Sequence, residues 1–431
     1  MYHSTLRIGA QRQLKNIGKA DLVIGLPTYK NARSAAYTAR IALEGAEQYY
    51  PHLRTVLINA DTGFKATTRR AVMDQAFDNG HNSMVVTGRY DGLPGQGSAT
   101  AALLDAALAL DAKAIIILDS HTQSVNPNWV AGLAHLIFEN KADLVLPRYH
   151  QWISPEGALC DLIAYPLFRA LWGQSVRCPT APDFALSPQL AAALLDEDIW
   201  GTAAAKFGLP PWLVTYGIVN KWRVVQSAVG EKNCKAGQVV SFSKQKDDRQ
   251  AELQFKSHFQ DLLNVIFNLA YKYRNFWKTM IPVHSSPTLT QFASEVNPKP
   301  TSHIDDAIWL LDELALGWIE YRVLWQQILT PDNMAYIEAL ASLPPDRFYF
   351  PPDLWAQIVY DFVLVFNKGE VDPVQVVDAL FPLYQGRLAA FLQEIAGLAS
   401  VGREGTVAAQ AVEFEETRAY LKKRWISYQP R

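Results

Sequence analysis

Four clusters of polar and small residues each follow a short apolar run, and their side chains could act on an anionic ligand. They are Pro27-Thr28-Tyr29-Lys30-Asn31, Asp61-Thr62-Gly63, Gly92–Ser98 and Asp119-Ser120-His121. In the last cluster a carboxylate and an imidazole lie two residues apart, so both can face one site and hold a divalent cation. The imidazole favours Mn, Co, Ni or Zn over Mg. A plain turn, with Asp119 bonded to backbone and His121 solvated, is the alternative.

The stretch from Gly92 to Ser98, GLPGQGS, is the candidate phosphate contact. Gly95 and Gly97 allow close backbone approach to a ligand, and Ser98 predicts the N-cap of the next helix. The free N–H groups of that helix and its positive dipole end would then face an anion. The stretch is neither a GxGxxG fingerprint after the first strand nor a P-loop, because GK[ST] is absent. An ordinary glycine turn before a capped helix is the alternative.

Alternating apolar and amphipathic segments up to about residue 230 must position these clusters. Buried strands are predicted at Asp21–Leu26, Thr55–Asn59, Ser83–Thr87 and Ala114–Leu118, with helices at Ser34–Tyr50, up to Phe77 and at Thr100–Leu110. Such strands, separated by helices, indicate a mainly parallel α/β sheet with helices on both faces. Ligands bind such sheets at the carboxyl ends of the strands. We therefore expect one cavity at that edge, lined by Pro27, Asp61, Gly97, Ser98, Asp119 and His121.

The second half of the chain has helical periodicity. Helices are predicted at Leu253–Trp277, Ile304–Ile328, Leu354–Asn367, Val374–Ala396 and Ala408–Trp425. The polar stretch 236–252 predicts a connector. The expected organisation is an N-terminal arm at 1–20, an α/β domain at 21–235, the connector, and a largely helical domain at 253–431.

Composition excludes several classes of protein. The chain has 431 residues, 49% hydrophobic and 19% charged, with a formal net charge of −2. A near-neutral chain argues against nucleic-acid binding through bulk positive charge. Three cysteines without CxxC spacing favour a reducing compartment. The start lacks the apolar core of a signal peptide, and no apolar stretch is long enough to span a membrane. We expect a soluble, cytoplasmic protein.

Several motifs, taken in order, resemble those of a known family. They are PTYKNA (Pro27–Ala32), LPGQGSA (Leu93–Ala99), ILDSHTQSVNPNWV (Ile117–Val130), YPLFRALWG (Tyr165–Gly173), PDFALS (Pro182–Ser187), FGLPPWLVT (Phe207–Thr215) and VGEKNC (Val229–Cys234). With the acidic turn at Asp61, they resemble the nucleotide-binding half of a glycosyltransferase with the GT-A fold. More narrowly, they resemble the branch of glucosylglycerate, mannosylglycerate and glucosyl-3-phosphoglycerate synthases. The resemblance spans about residues 20–235.

The resemblance implies transfer of a hexose from an NDP-sugar (a UDP- or GDP-hexose) to a small hydroxy acid such as glycerate or phosphoglycerate. It also implies a divalent metal cofactor, Mn or Mg, and leaves a homodimer open. The residues that would hold the nucleotide-sugar are Pro27, Thr28, Tyr29, Asp61, Gly95, Gln96, Gly97, Ser98 and Asp119. The remaining implied roles are catalysis at the sugar by Asp183, acceptor binding by Trp212 and Thr215, and metal binding by Asp119, His121 and Cys234.

The sequence departs from the family pattern at the metal and phosphate motifs. Gln96 stands where the family has Lys in a PGKG loop, and His121 where it has the second Asp of DSD. Ala181-Pro182 replaces two glycines, and Asn233-Cys234 stands where a metal-binding His is expected. An acidic residue expected near Pro210-Pro211 is also missing. Two hypotheses follow: a transferase with altered metal use or specificity, or a catalytically degenerate GT-A protein that serves as a ligand-sensing or protein-interaction module.

Overall fold

The computed structural model describes residues 4–78, 84–152, 154–202, 204, 206–232, 249–279, 282–293 and 304–428. The chain divides into two compact units, and neither is continuous in sequence. The first comprises Met1–Trp152, Arg177–Gly237 and Ser286–Val296; the second comprises Ile153–Val176, Gln238–Ser285 and Asn297–Arg431. Within the described residues, no helix has both the length and the apolar character needed to cross a membrane.

The first unit is built on a nine-stranded sheet. Its strands are β1 (Thr5–Leu6), β2 (Leu22–Thr28), β3 (Thr55–Asp61), β4 (Met84–Asp91), β5 (Ala114–Ile117), β6 (Leu144–Trp152), β8 (Phe184–Leu186), β9 (Val224–Lys232) and β11 (Thr288–Leu289). The order across the sheet is β1-β4-β3-β2-β5-β8-β6-β9-β11. All neighbours pair in parallel except β1 with β4 and β8 with both β5 and β6. The predicted mainly parallel sheet is confirmed.

Helices flank this sheet. They are α1 (Ile8–Ile17), α2 (Ala32–Tyr49), α3 (Thr67–Asp78), α4 (Gln96–Ala109), α5 (Asn128–Phe138), α8 (Pro188–Leu195) and α9 (Leu209–Val219). Helix α4 is buried along most of its length and packs on β2 and β3. Gly25 of β2 permits this close approach, because a Cβ there would lie 2.9 Å from Leu103 Cδ1 of α4. Both faces of the central strands are therefore apolar and covered.

The ends of the elements differ from the expected ones. Strand β3 continues to Asp61 and β4 to Asp91, because these polar residues still pair with neighbouring strands. Residues 5–17, expected as an arm, add β1 and α1 to the first unit. Helix α4 begins at Gln96 with Gly95 as its N-cap, so the prediction of Ser98 as N-cap was wrong.

The second unit is largely helical in its described part, as predicted. Its helices are α6 (Pro155–Leu159), α7 (Tyr165–Trp172), α10 (Arg249–Lys272), α11 (Arg274–Lys278), α12 (Ile304–Ile328), α13 (Pro331–Leu340), α14 (Pro352–Lys368), α15 (Pro373–Glu394), α16 (Ser400–Glu416) and α17 (Arg418–Ser427), with a π-helical turn at Cys160–Ala164 and a 3-10 turn at Pro345–Arg347. Two short strands, β7 (Gln174–Ser175) and β10 (His284–Ser285), pair in parallel. Fully buried Arg387 donates to Gln410, to the carbonyl of Phe350 and to both oxygens of Glu394. This network fixes α15 against its neighbours.

Candidate functional site

The polar clusters meet at one edge of the sheet because of its topology. Thr28, Asp61 and Lys232 are the last residues of the parallel strands β2, β3 and β9, and Asp119 follows β5 by two residues. Asp183 directly precedes β8, which runs antiparallel, so the start of β8 lies at this same edge. Residues far apart in sequence are thereby brought to one side of the first unit.

Hydrogen bonds tie the loop after β2 to the loop after β5. The Ser120 hydroxyl donates to the Pro27 carbonyl at 2.5 Å. The Asn31 side-chain amide donates to the Ser120 hydroxyl at 2.8 Å and to its carbonyl at 3.1 Å. The Tyr29 side chain next to this network is exposed. Pro27 and the Asp119–His121 turn thus form one connected rim, as the strand topology predicts.

Asp61 is fully buried, and the protein satisfies it internally. Its carboxylate accepts from Arg69 at 2.6 Å, from the backbone N–H of Gly63 at 3.0 Å and from the Thr28 hydroxyl at 3.3 Å. The Asn59 side-chain amide in turn donates to the Thr28 hydroxyl at 2.7 Å. Locally, Asp61 links the end of β3 to the end of β2 through its hydrogen bond with Thr28. Its contact with a nucleoside stays a prediction.

The glycine-rich stretch leads directly into α4. Tyr90 holds it, because its hydroxyl donates to the Gly95 carbonyl at 3.1 Å and accepts from the Gly95 N–H at 3.3 Å. The Gln96 amide donates to the Pro182 carbonyl at 3.4 Å, and the Gly97 N–H donates to the Lys206 carbonyl at 3.1 Å. Ser98 is fully buried inside the first turn of α4. The helix start therefore lies at this edge, but its Gly97 N–H already has an acceptor.

Asp119 and His121 form a closed turn. The backbone N–H of His121 donates to Asp119 Oδ1 at 3.0 Å, and His121 Nδ1 lies 3.2 Å from the same oxygen. The Thr122 hydroxyl lies 3.4 Å from Asp119 Oδ2. The His121 side chain is 56% exposed, while that of Asp119 is 18% exposed. The imidazole is thus the solvent-facing group of this pair.

Lys232, whose role the sequence did not indicate, links the two aspartates of the site. Its side chain is 1% exposed, and its ammonium donates to Asp183 Oδ2 at 2.6 Å and to Asp119 Oδ2 at 3.1 Å. The backbone N–H of Asp119 donates to Asp183 Oδ1 at 2.7 Å, and the Tyr149 hydroxyl donates to Asp183 Oδ2. Asp183 is fully buried, and its carboxylate accepts hydrogen bonds from the Asp119 N–H and the Lys232 ammonium. Its contact with a sugar stays a prediction. The available signal was the place of Lys232 in VGEKNC, one of the motifs that carry the family resemblance.

The electrostatics follow from this burial. Burial raises the pKa of the Asp119 carboxyl, but the Lys232 charge and the His121 contacts lower it by more, so the pKa lies well below its usual range. Burial raises the pKa of Asp183, and the Lys232 charge opposes this shift. Burial and the nearby Asp183 charge raise the pKa of the Tyr149 phenol, so Tyr149 keeps its proton and donates it.

The structure describes only some of the other predicted site residues. Trp212 and Thr215 are buried in α9, where the Thr215 hydroxyl donates to the Pro211 carbonyl at 2.9 Å and the Trp212 ring stacks on Tyr216. Acceptor binding by these two residues stays a prediction. Cys234, the third predicted metal ligand, lies outside the described residues.

A cavity of about 500 Å³ lies between α1, α3 and β4. Arg69, the partner of Asp61, contributes to its wall together with Arg7, Arg70 and Arg89. None of the six residues expected to line one cavity lines this one. The shared cavity of those six residues therefore stays a prediction.

Comparisons with known proteins give one kind of match. Neither a family model nor a curated protein matches the sequence. Similar solved structures include glucosyl-3-phosphoglycerate synthase from Mycobacterium tuberculosis in complex with Mn²⁺, UDP and phosphoglyceric acid, at 17% identity over 61% of this chain and 83% of that chain, with a TM-score of 0.41. The same enzyme with Mg²⁺ and UDP gives 16% identity, 62% and 84% coverage and a TM-score of 0.42. The same enzyme with Mn²⁺, UDP-glucose and glycerol 3-phosphate gives 18% identity over 62% of this chain and 84% of that chain, with a TM-score of 0.40.

Proposed function

We propose that this chain binds an NDP-sugar at the carboxyl edge of its sheet and transfers the hexose to a small hydroxy acid, such as glycerate or phosphoglycerate. One observation carries the proposal. Asp119 and Asp183, which the family resemblance assigns to nucleotide-sugar and metal binding and to catalysis at the sugar, lie in one hydrogen-bonded cluster at the edge where β2, β3 and β5 end. This edge is where open α/β sheets bind nucleotides.

In the proposed reaction the sugar is passed between two oxygen atoms. The bond between the anomeric carbon and the diphosphate oxygen breaks, and the nucleoside diphosphate leaves with the electron pair. A hydroxyl oxygen of the acceptor forms the new bond to the anomeric carbon, and its proton passes to the departing diphosphate or to solvent. Charge therefore develops on the diphosphate, and donors fixed in advance would stabilise it. The start of α4 and the exposed His121 side chain are the groups proposed for this role.

The test is a panel of UDP- and GDP-hexoses offered to the full chain. Calorimetry measures binding, and release of free NDP with 3-phosphoglycerate or glycerate measures turnover. Tyr29→Ala should weaken binding severalfold, because this side chain is exposed beside the rim. Tyr336→Ala, an equally large change on an exposed residue of the helical unit, is the matched control and should leave binding unchanged. If no NDP-sugar binds at any concentration tested, the proposal is wrong.

A second candidate is a non-catalytic module that senses a nucleotide-sugar, and it also has specific support. Asp61 and Asp183 are both fully buried, and protein groups donate to both oxygens of each carboxylate. Buried carboxylates that accept hydrogen bonds on both oxygens have a role in the fold whether or not the protein transfers a sugar. Binding without NDP release, across all donors and both acceptors, would favour this candidate.

A further inference from the structure

The Lys232 ammonium is enclosed by acceptors at the centre of the site. Its three N–H donors have three acceptors: Asp183 Oδ2 at 2.6 Å, Thr122 Oγ1 at 2.8 Å and Asp119 Oδ2 at 3.1 Å. The same nitrogen lies over the ring of Tyr149, 5.4 Å from the ring centroid. A lysine side chain that is only 1% exposed persists in a protein when its charge is paired and hydrogen-bonded in this way. Lys232 is therefore a built-in cation of the cluster.

This cation takes the oxygens that a metal ion bridging the two aspartates would need. A divalent ion bridging Asp119 and Asp183 would require their Oδ2 atoms at about 2.0–2.6 Å. The Lys232 nitrogen already lies within 3.1 Å of both atoms. Asp119 Oδ1, the other oxygen facing the turn, accepts the N–H of His121. In the part of the chain that the structure describes, no group of three or more His, Cys, Asp and Glu residues could hold a metal ion.

Charge supports the same conclusion. Two carboxylates and one ammonium leave a single net negative charge, which attracts a divalent ion less than two carboxylates alone would. The imidazole of His121 at the rim adds no negative charge where a second aspartate would. The described donors Asp119, Asp183 and His121, with Lys232 in place, do not fit the Mn or Mg ion that the family resemblance implies; Cys234, the third implied ligand, lies outside the described residues.

We propose that Lys232 occupies the place between Asp119 and Asp183 that a divalent metal would take, so that this chain binds its nucleoside diphosphate without a metal ion. The ammonium holds Asp119 and Asp183 together and partly neutralises them, which lowers the repulsion that they would exert on an incoming diphosphate. Lys232 is a positioning residue in this account, because its side chain is 1% exposed and its ammonium contacts Asp119 and Asp183. The inference rests on the proposed function only for the identity of the ligand.

The first arm of the test uses the wild-type chain and the metal alone. Mn²⁺ added without nucleotide should give no binding heat, no loss of the free-ion paramagnetic resonance signal and no change in melting temperature. UDP and GDP should then be titrated with EDTA and with Mn²⁺ present. The two dissociation constants should agree within about twofold. Tight Mn²⁺ binding by the free chain, or nucleotide binding that EDTA abolishes, would overturn the inference.

The second arm removes the ammonium. Lys232→Met removes the ammonium from both Oδ2 atoms and leaves the Tyr149 hydroxyl on Asp183 Oδ2, so this variant should gain Mn²⁺ binding and be stabilised by the ion. The matched control is Lys232→Met with Asp183→Asn, which lacks the ammonium and also the second carboxylate. It should show no such gain, and it leaves fewer buried charges unpaired if the single variant does not fold.

The two arms separate failure of the inference from failure of the proposed function. If neither UDP nor GDP binds in EDTA or in Mn²⁺, the proposed function fails, while the metal-only measurements still decide the role of Lys232. If a folded Lys232→Met variant responds to Mn²⁺ no more than the wild type does, the inference fails whatever the nucleotide does.

Discussion

Loss of the Lys232 ammonium should destabilise the first unit strongly. In Lys232→Met the hydrocarbon part of the side chain is largely retained, while the cation is lost. Asp183 then stays fully buried, and among the described residues Tyr149 and the Asp119 N–H remain as its donors. Breaking a buried ion pair by removing one partner costs about 3–5 kcal/mol. A typical domain is stable by about 5–15 kcal/mol, so the variant should remain folded but with a much lower unfolding midpoint.

Lys113→Met provides the control. The Lys113 ammonium lies 2.7 Å from Asp21, a distance similar to that between Lys232 and Asp183, but its side chain is 69% exposed. Surface ion pairs of this kind contribute little because water solvates both partners. The unfolding midpoint of Lys113→Met should therefore stay close to that of the wild type. The comparison contrasts a buried ammonium that bridges two carboxylates with an exposed ammonium paired at a similar distance.

The assay is urea unfolding combined with hydrogen exchange at the start of β8 and the end of β5. Exchange is needed because the chain has two units, and a single optical transition would not show which of them was destabilised. Adding Asp183→Asn to Lys232→Met should recover part of the lost stability, because one uncompensated charge is removed. Equal midpoints for Lys232→Met and Lys113→Met, or strictly additive effects in the double variant, would refute this reasoning.

Three further predictions concern the same edge of the sheet and Asp143, the residue that precedes β6. Gln96→Lys adds a cation at the start of α4, so UDP or GDP should bind severalfold more tightly by calorimetry; unchanged affinity would place the diphosphate elsewhere. The hydrogen bond from Arg223 lowers the pKa of Asp143, so this pair contributes stability that is present above about pH 4 and is lost as pH falls further. Melting of Asp143→Asn should accordingly depend less on pH below that value than melting of the wild type does. Lys232→Met combined with His121→Asp presents three carboxylates, so this variant should bind Mg²⁺ without nucleotide, which isothermal titration would detect.

The central strands could be predicted from the sequence because buried strands have a locally apolar composition. Strands such as β2 and β5 are continuous apolar runs, and such runs must be covered on both faces. The strand ends were less predictable. Asp61 was predicted to lie in a turn. It belongs to β3, because it pairs as a strand residue opposite Arg89 of β4. Ser98 looked like an N-cap, yet the helix begins earlier, where Gly95 takes the cap position.

The central contact of the site could not be predicted from sequence. Lys232 lies 113 residues from Asp119 and 49 from Asp183, and no local pattern relates them. The strand topology alone brings the three together, because β9 joins the sheet beside β6 while β8 enters between β5 and β6. Sequence reasoning could find the edge of the sheet, but the pairing of one cation with two aspartates depends on the strand order.

Lys232 also gives a physical reason why several departures from the family motifs occur together. If the chain supplies its own cation, the second aspartate of the DSD motif has no metal to bind, and His121 can stand there. The metal-binding histidine expected beside Cys234 likewise has no role. Decay of an unused site would not by itself place a buried ammonium with three fitted acceptors between the two remaining aspartates. Two departures thus have one explanation in the proposed site, and the three fitted acceptors of Lys232 favour a site that binds a diphosphate over a site that has lost its ligand.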